Sequence, residues 1–287
     1  MAVEFFKKIN KKKIIISIIC LALLIALIAW IVWGNMSVKT VSYDLTSEKV
    51  STELDSFNIV QISDFHNAEF SNNNSDLVNL VKGLKPEIIV ITGDLIDSRK
   101  TNVEISVEFT KKLVELAPCY FVAGNHEART NDYQSLRAQL INLGVKVLKD
   151  DFDEITVNGS KIVIYGIEDP DFVNQSGDQT EILRQKLNKF TLSDGYNILL
   201  SHRPEAFSLY CEYGFDLVFS GHAHGGQFYL PLIGGVAAPH QGLFPKYDKG
   251  KFVSKNTVMI VSGGLGNSIF PFRVNNRPEI INVIINN

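Results

Sequence analysis

Cysteine is scarce in this chain of 287 residues, which contains three: Cys20, Cys119 and Cys211. Three cysteines form at most one disulfide bond, which excludes the small secreted proteins whose fold depends on a disulfide framework. Cys20 lies inside a long apolar run, Cys119 begins an apolar segment and Cys211 ends a predicted helix. We therefore expect Cys119 and Cys211 to be buried, unpaired thiols.

The chain also lacks an excess of basic residues, since 28 lysines and arginines accompany 31 aspartates and glutamates and the net charge is −3. Without a global positive field, nothing indicates a nucleic-acid partner. Internal repeats and long low-complexity runs are missing too. The length then allows one sizeable core or at most two domains, and the 45% hydrophobic content is typical of a globular protein.

Charge is missing altogether from residues 14–33, where every side chain is apolar or small. A helix of this length is about 30 Å long, which matches the hydrocarbon core of a bilayer. Lysines precede it at positions 7, 8, 11, 12 and 13. By the positive-inside rule, the N-terminus stays in the cytoplasm and the rest of the chain lies outside the cell membrane.

These features predict a cytoplasmic basic tail at 1–13, a single-pass transmembrane anchor at 14–33, a linker at 34–55 and one folded domain at 56–287. A cleaved signal peptide is the main alternative. The apolar run exceeds the 7 to 15 residues usual for a signal peptide, and no small-x-small cleavage site follows it. A buried helix of a soluble protein is a weaker alternative, because such a helix rarely runs this long without a polar face.

Beyond residue 56, apolar segments end repeatedly in polar side chains that suit metal binding. Strands are predicted over 57–63, 87–92, 120–123, 196–200 and 215–219, and helices over 75–84, 102–116, 133–142 and 179–190, which indicates the α/β class. Open α/β sheets place their sites at the carboxyl ends of strands. The groups that follow these strands should therefore converge: Asp64 and His66, Asp94 and Asp97, Asn125 with His126 and Glu127, His202, and His222 with His224.

Carboxylates, an amide oxygen and several imidazoles together suit Mn, Fe or Zn better than Mg. The donors are too numerous for one tetrahedral site. They fit two divalent ions about 3.5 to 4 Å apart that share a bridging carboxylate. Such a pair lowers the pKa of a water molecule and binds a phosphoryl group, which favours hydrolysis of phosphate esters.

Five ordered blocks over residues 57–285 resemble the motif set of the calcineurin-like metallophosphoesterases: Asp64-Phe65-His66, Gly93-Asp94-Leu95-Ile96-Asp97, Gly124-Asn125-His126-Glu127, His202 and Gly221-His222-Ala223-His224. The resemblance implies a four-layer αββα sandwich, here preceded by one N-terminal transmembrane helix. It also implies that a water or hydroxide activated by two metal ions attacks the phosphoester.

The same resemblance implies roles for individual residues. The first metal ion would be bound by Asp64, His66 and His224, and the second by Asn125, His202 and His222, with Asp94 bridging both. His126 would face the substrate and assist departure of the leaving oxygen, as an acid or as a transition-state stabiliser. Asp97 and Glu127 would support the ligands without binding metal.

Later residues resemble a membrane-anchored bacterial branch of the family, which is similar to periplasmic or cell-surface phosphodiesterases and related to enzymes that hydrolyse UDP-diacylglucosamine. The blocks concerned are Gly225-Gly226-Gln227, Gly263-Gly264-Leu265-Gly266, Arg273 and Pro278-Glu279. A phosphodiester is therefore favoured over a phosphomonoester. Relatives that act on phosphoproteins carry Arg-Gly after the second aspartate of the Gly-Asp block, whereas Ser98-Arg99 follows Asp97 here. A phosphoprotein phosphatase stays an alternative because Arg99 is present, and so does a metal-free scaffold on the same fold.

Two arginines, Arg203 and Arg273, are candidates for binding the substrate phosphate, although such arginines are more often structural or surface residues. His240 matches no block and is interpreted as a loop histidine. Several apolar residues follow the predicted site residues and could receive a lipid-linked or nucleotide-linked substrate, although residues of this kind usually belong to the core: Phe228, Tyr229, Leu230, Phe244, Phe270 and Phe272.

Overall fold

The computed structural model describes residues 11–52, 54 and 56–287, so residues 1–10 of the predicted basic tail lie outside the described residues. The first helix, α1 (Lys11–Met36), contains the predicted anchor, and its large apolar side chains are exposed. It is long and apolar enough to cross a membrane, and it is the one such helix in the part of the chain that the structure describes.

Six further helices follow: α2 (Ser75–Gly83), α3 (Val103–Val114), α4 (Asn125–Ala128), α5 (Tyr133–Asn142), α6 (Gln179–Leu187) and α7 (Phe207–Tyr213). The strands are β1 (Lys39–Thr46), β2 (Phe57–Ile62), β3 (Ile88–Thr92), β4 (Cys119–Val122), β5 (Lys146–Val147), β6 (Asp151–Val157), β7 (Ser160–Gly166), β8 (Tyr196–Leu200), β9 (Leu217–Ser220), β10 (Tyr229–Leu230), β11 (Gly234–Gly235), β12 (Ala237–Ala238), β13 (Gly242–Leu243), β14 (Gly250–Ser254), β15 (Thr257–Val261) and β16 (Glu279–Asn286).

Two six-stranded sheets form the centre of the domain, in the orders β1-β16-β2-β3-β4-β5 and β14-β15-β9-β8-β7-β6. In the first sheet β2 to β5 run parallel, and β16 runs antiparallel to β2. In the second sheet β7, β8, β9 and β15 run parallel between antiparallel edge strands. The carboxyl ends of the parallel strands therefore meet along one edge of each sheet, where α/β proteins place their sites.

Three apolar cores separate four layers. One core lies between the two sheets and includes Val90, Ile164, Ile198 and Phe219. A second joins the first sheet to α2, α3 and α5, and a third joins the second sheet to α6 and α7. The continuous apolar sequences of β3 and β8 follow from this arrangement, because strands covered on both faces have no solvent side. The predicted αββα sandwich is thus the observed architecture.

The predicted linker is wrong in its central part. Residues 39–46 form β1, whose eight residues pair in parallel with β16. The physical reason is the alternation of Val41, Tyr43 and Leu45 with polar residues, which lets one face pack on the core while the other meets solvent. The folded domain therefore begins at residue 39 rather than 56.

The three cysteines are free, as expected, with Cys119 and Cys211 buried and Cys20 exposed on α1.

Candidate metal centre

The expected site residues come together where the parallel strands of both sheets end. Asp64 and His66 follow β2, Asp94 follows β3, and Asn125 and His126 open α4 directly after β4. The second sheet contributes His202 after β8, and His222 and His224 after β9. All of these side chains are buried. Each sheet supplies only part of the set, so the site exists only when the two sheets pack together.

The ligand atoms form two groups that share one carboxylate. Asp64, His66, Asp94 and His224 place one donor atom each within 4.8 Å of the others, and so do Asp94, His202 and His222. The Nε2 atoms of His66 and His224 face each other at 3.2 Å. Asp94 belongs to both groups, which is the place that a bridging ligand would occupy.

Several buried donor atoms in the site have no hydrogen-bond partner. These atoms are Asn125 Oδ1 and His202 Nε2, on expected metal ligands, and His66 Nδ1, which lies on the Asp97 side of its ring while Nε2 faces His224. His202 Nδ1 lies 2.7 Å from the Thr92 carbonyl, to which it can only donate, so Nε2 is the atom that faces the site, 3.2 Å from Asp94 Oδ2. An unpaired buried polar atom costs about 1–3 kcal/mol. Divalent cations would satisfy Asn125 Oδ1 and His202 Nε2, so the donor set fits the metal ions that the sequence predicts.

Burial sets the charge of the histidine ligands. It lowers the pKa of His66 to about 3, and it lowers the pKa values of His222 and His224 well below the usual range. These three imidazoles are therefore neutral near pH 7, which is the form that binds metal. Burial also raises the pKa of Asp64 to about 6, against the opposing influence of His202.

The backbone at the ligands is held in the left-handed region. The φ angles are 49° at Asp64 and His66, 53° at Asp94, 68° at His222 and 49° at His224. This region is sparsely populated by residues other than glycine, and each such residue costs of order 1–3 kcal/mol. Strain of this kind persists where the surrounding structure enforces it, and five of the seven candidate ligands carry it here.

His126 lies beside the ligands and lines the pocket above them. Its Nδ1 accepts a hydrogen bond from the backbone N–H of Ser98 at 3.0 Å. The neutral ring therefore carries its proton on Nε2, which lies 3.2 Å from Ser268 Oγ and 4.0 Å from Asp94 Oδ2. The ring thus presents a hydrogen-bond donor to the pocket.

Glu127 and Asp97 lie behind these groups. The Glu127 carboxylate accepts hydrogen bonds from the backbone N–H groups of Asp94, Ile96 and Gly124, at 2.8, 3.1 and 2.7 Å. It therefore ties the loop after β3 to the loop after β4. The Asp97 carboxylate is paired with Arg99 at 2.9 Å, and it lies 3.8 Å from Nδ1 of both His66 and His126.

Neither candidate phosphate-binding arginine is available to a substrate, which corrects that interpretation. Arg203 is 0% exposed, and its guanidinium is bound by Asp169 and Asp171. Arg273 is 2% exposed and donates to the carbonyls of Gly263 and Gly266. The physical reason is that these buried acceptors already use the guanidinium hydrogens, so both arginines support the loops around the site.

His240 belongs to the site, although sequence reasoning treated it as a loop histidine. Its Nδ1 lies 3.0 Å from His222 Nε2, and the two rings stack at 5.2 Å. The side chain is 33% exposed and lines the pocket together with Arg129. It is carried by the turn between the two-residue strands β12 and β13. No local pattern in the sequence marks that turn as part of the site.

Comparisons with known proteins agree with this geometry. The profile of the family described as calcineurin-like phosphoesterase matches residues 57–226. The chain is 28% identical to an uncharacterized metallophosphoesterase, YkuE, of Bacillus subtilis (strain 168), over 85% of this chain and 84% of that protein. It is 30% identical to YpbG of the same organism, over 86% of both chains.

A zebrafish (Danio rerio) relative named as a transmembrane protein with a metallophosphoesterase domain is 28% identical over 86% of this chain, which spans 57% of that relative's length. A solved structure from Thermus thermophilus shares the fold, with a TM-score of 0.50 and 14% identity, over 74% of this chain and 91% of that one. The family profile covers more than half of the chain and all five motif blocks. The chain therefore belongs to the calcineurin-like phosphoesterase family.

Proposed function

We propose that this protein is a metal-dependent phosphohydrolase that cleaves phosphodiester bonds, and phosphomonoester bonds less readily, with water. One observation carries the proposal: two groups of buried ligand residues share Asp94, and the buried Asn125 Oδ1 beside them has no hydrogen-bond partner. A metal-free scaffold would leave the Asn125 oxygen unsatisfied at a cost in stability.

Two ions would divide these ligands between them. Asp64, His66 and His224 would hold the first ion and Asn125, His202 and His222 the second, with Asp94 available to both. Bound there, divalent cations supply Lewis acidity that neutralises phosphoryl charge and lowers the pKa of an attacking water. The imidazole-rich set favours Mn, Fe or Zn over Mg.

His126 acts on the leaving group. The water oxygen forms a bond to phosphorus while the bond from phosphorus to the leaving oxygen breaks, and negative charge develops on that oxygen. Because the Ser98 N–H occupies Nδ1, the neutral ring offers its Nε2–H as a hydrogen bond to the leaving oxygen. The proton lost by the attacking water balances the proton that the released alcohol takes up from solvent.

We place the domain on the outer side of the cytoplasmic membrane. The support is the apolar helix α1, the lysines before it in the sequence, and the relatives that are named as transmembrane proteins. Protease added to intact cells should degrade the domain, whereas full protection until the cells are lysed would reverse this orientation.

The test is hydrolysis of bis-p-nitrophenyl phosphate and p-nitrophenyl phosphate by the full-length protein, stripped of metal and then titrated with Mn, Zn, Fe or Mg. Activity should rise to a plateau at two ions per chain.

Asp94→Asn should lose bound metal and turnover together, whereas Asp194→Asn, at a side chain that is 94% exposed, should lose neither. His126→Ala should bind both ions but lose about 10²–10³ in kcat. A folded protein that binds no ion, or an Asp94→Asn variant with full turnover, would refute the proposal.

A further inference from the structure

A collar of exposed apolar side chains lies beside the pocket. We call it the apolar rim, and it consists of Leu230, Leu232, Ile233, Leu243, Phe244, Ile269, Phe270 and Phe272. Its exposed fractions include 108% at Leu232, 74% at Ile269 and 72% at Leu243. Ile269 and Phe270 also line the pocket that contains the metal ligands. Soluble proteins rarely cluster large apolar side chains in water in this way, and such clusters mark contact with a partner or a membrane.

The segments that carry the rim are tied to one another. Gln227 donates its side-chain amide to the carbonyls of Phe270 and Phe272. The ring of Phe228 contacts both of those rings, at 5.3 and 5.8 Å between centroids. The backbone N–H of Phe244 donates to the Val236 carbonyl, which joins the third part of the rim. The rim is therefore fixed relative to the pocket.

The rim is also tied to the end of α1. Asn35 in the last turn of the helix accepts a hydrogen bond from the backbone N–H of Arg273 at 2.7 Å and donates to the Arg273 carbonyl at 2.9 Å. Arg273 directly follows Phe272 of the rim. Arg277 lies 5.0 Å from the ring of Trp33. Tryptophan and arginine at the end of a membrane-spanning helix lie at the lipid headgroup level, which brings the neighbouring rim to the same level.

Two rim residues have an additional unfavourable property. Leu232 and Phe244 adopt φ angles of 69° and 55°, in the left-handed region that bulky side chains disfavour. Both are also exposed, at 108% and 58%. In water, these positions combine backbone strain with apolar exposure. Insertion into a bilayer would remove the second cost.

We propose that the apolar rim inserts into the interfacial layer of the bilayer that α1 crosses, and that the site takes phosphoesters carried by lipids of that layer. The bilayer is the occupant that the structure favours over a protein partner, because Arg273, the residue after Phe272 of the rim, is hydrogen-bonded to the last turn of α1. The second half of the proposal rests on the proposed function, whereas the first half does not depend on catalysis.

Insertion can be tested without any activity. The full-length Cys20→Ser protein, whose two other thiols are buried, receives either Leu232→Cys or Ile141→Cys and an environment-sensitive fluorophore. Ile141 is 45% exposed on α5 and does not line the pocket. In vesicles of phosphatidylethanolamine and phosphatidylglycerol, we expect the Leu232 label to be quenched by headgroup-level nitroxide lipids and protected from iodide. The Ile141 label should behave in the opposite way. Equal iodide quenching at both positions would overturn insertion.

The substrate class is tested by comparing two esters with the same leaving group. A triple variant of the rim, Leu232→Ser, Ile233→Ser and Phe244→Ser, is matched by a control triple, Ile141→Ser, Val173→Ser and Val253→Ser. In vesicles, the rim variant should lose about tenfold or more in kcat/KM on phosphatidyl-p-nitrophenol and keep wild-type hydrolysis of bis-p-nitrophenyl phosphate. The control triple should keep both activities.

Equal losses on the two esters, or no loss on either, would overturn the assignment of a lipid substrate. A wild-type protein that hydrolyses the soluble ester but not the lipid ester would do the same. A wild-type protein that hydrolyses neither ester with any metal would refute the proposed function, while the labelling result would still decide whether the rim inserts.

Discussion

Nε2 of His202 lies 3.2 Å from Oδ2 of Asp94, and both side chains are buried. Burial alone would lower the pKa of His202, but the charge of Asp94 outweighs it and raises that pKa to about 10. Burial also acts to raise the pKa of Asp94, yet the surrounding histidines, His202 first, hold it well below its usual range. The pair therefore requires a positive charge between the two side chains, and in the metal-free protein a proton on His202 supplies it.

Metal binding should consequently release protons. At pH 7.5 an ion bound between His202 and Asp94 displaces the His202 proton, because a ligating imidazole is neutral. At pH 5.5 Asp64 is also protonated, because its pKa is raised to about 6. Metal binding then displaces one proton from Asp64 in addition to the one from His202. Calorimetry of Mn binding in two buffers of different ionisation enthalpy should give about one proton released at pH 7.5 and about two at pH 5.5. Affinity should therefore weaken as the pH falls through 6. Binding enthalpies that do not depend on the buffer would contradict this account.

Gly221→Ala should disable the first metal site. A Cβ atom at this position would overlap Ser63 Oγ and Asp64 Oδ2. A displaced Asp64 could no longer place its carboxylate beside His66, Asp94 and His224. We expect a loss of about tenfold or more in affinity for one of the two ions, measured by metal titration. The matched control is Gly83→Ala, where a Cβ meets no atom within 4 Å at the end of α2. That variant should bind metal normally and gain up to about 1 kcal/mol in unfolding free energy.

Arg203→Met should destabilise the domain rather than weaken substrate binding. The change leaves Asp169 buried without its cation and Asp171 with Arg129 alone, which costs about 3–5 kcal/mol. Arg203→Lys should rescue little of this loss, because an ammonium cannot reproduce the planar set of guanidinium hydrogen bonds. Urea unfolding of the detergent-solubilised protein measures the loss. An unchanged unfolding midpoint together with a raised KM would restore the phosphate-binding interpretation.

Removal of metal should lower the melting temperature. At a free ion concentration about 100 times Kd, binding adds about 2.7 kcal/mol, which corresponds to a shift of about 5–10 °C for a domain of this size. Chelation should therefore shift the wild-type melting curve downward by that amount. It should leave the curve of Asp94→Asn in place, since that variant holds little metal to remove. Identical shifts in both proteins would mean that the chelator acts elsewhere.

The convergence of the candidate ligands was predictable because each follows a strand whose apolar sequence is visible without the structure. Asp64, Asp94 and His222 all lie at such ends, and parallel strands bring their ends to one edge. The hairpin turn at Asn158 and Gly159 has a similarly local cause, because Asn-Gly favours a two-residue turn and both residues adopt the positive φ that it requires.

Other features depend on contacts between distant segments. The burial of Arg203 results from Asp169, 34 positions away, and the position of His240 results from the packing of its turn on His222. Neither partner can be identified from local sequence. The strand β1 differs, because its alternation of apolar and polar residues can be seen in the local sequence. It was assigned to the linker because it directly follows the predicted anchor.

Only Ser37 and Val38 lie between the end of α1 and the start of β1, and Arg277 donates hydrogen bonds to the carbonyls of both. All eight residues of β1 are then held in register by β16. With α1 in the membrane as proposed, a protease on the far side would find no flexible linker at which to release the domain. The search for substrate would then be two-dimensional, confined to the membrane area over which α1 diffuses.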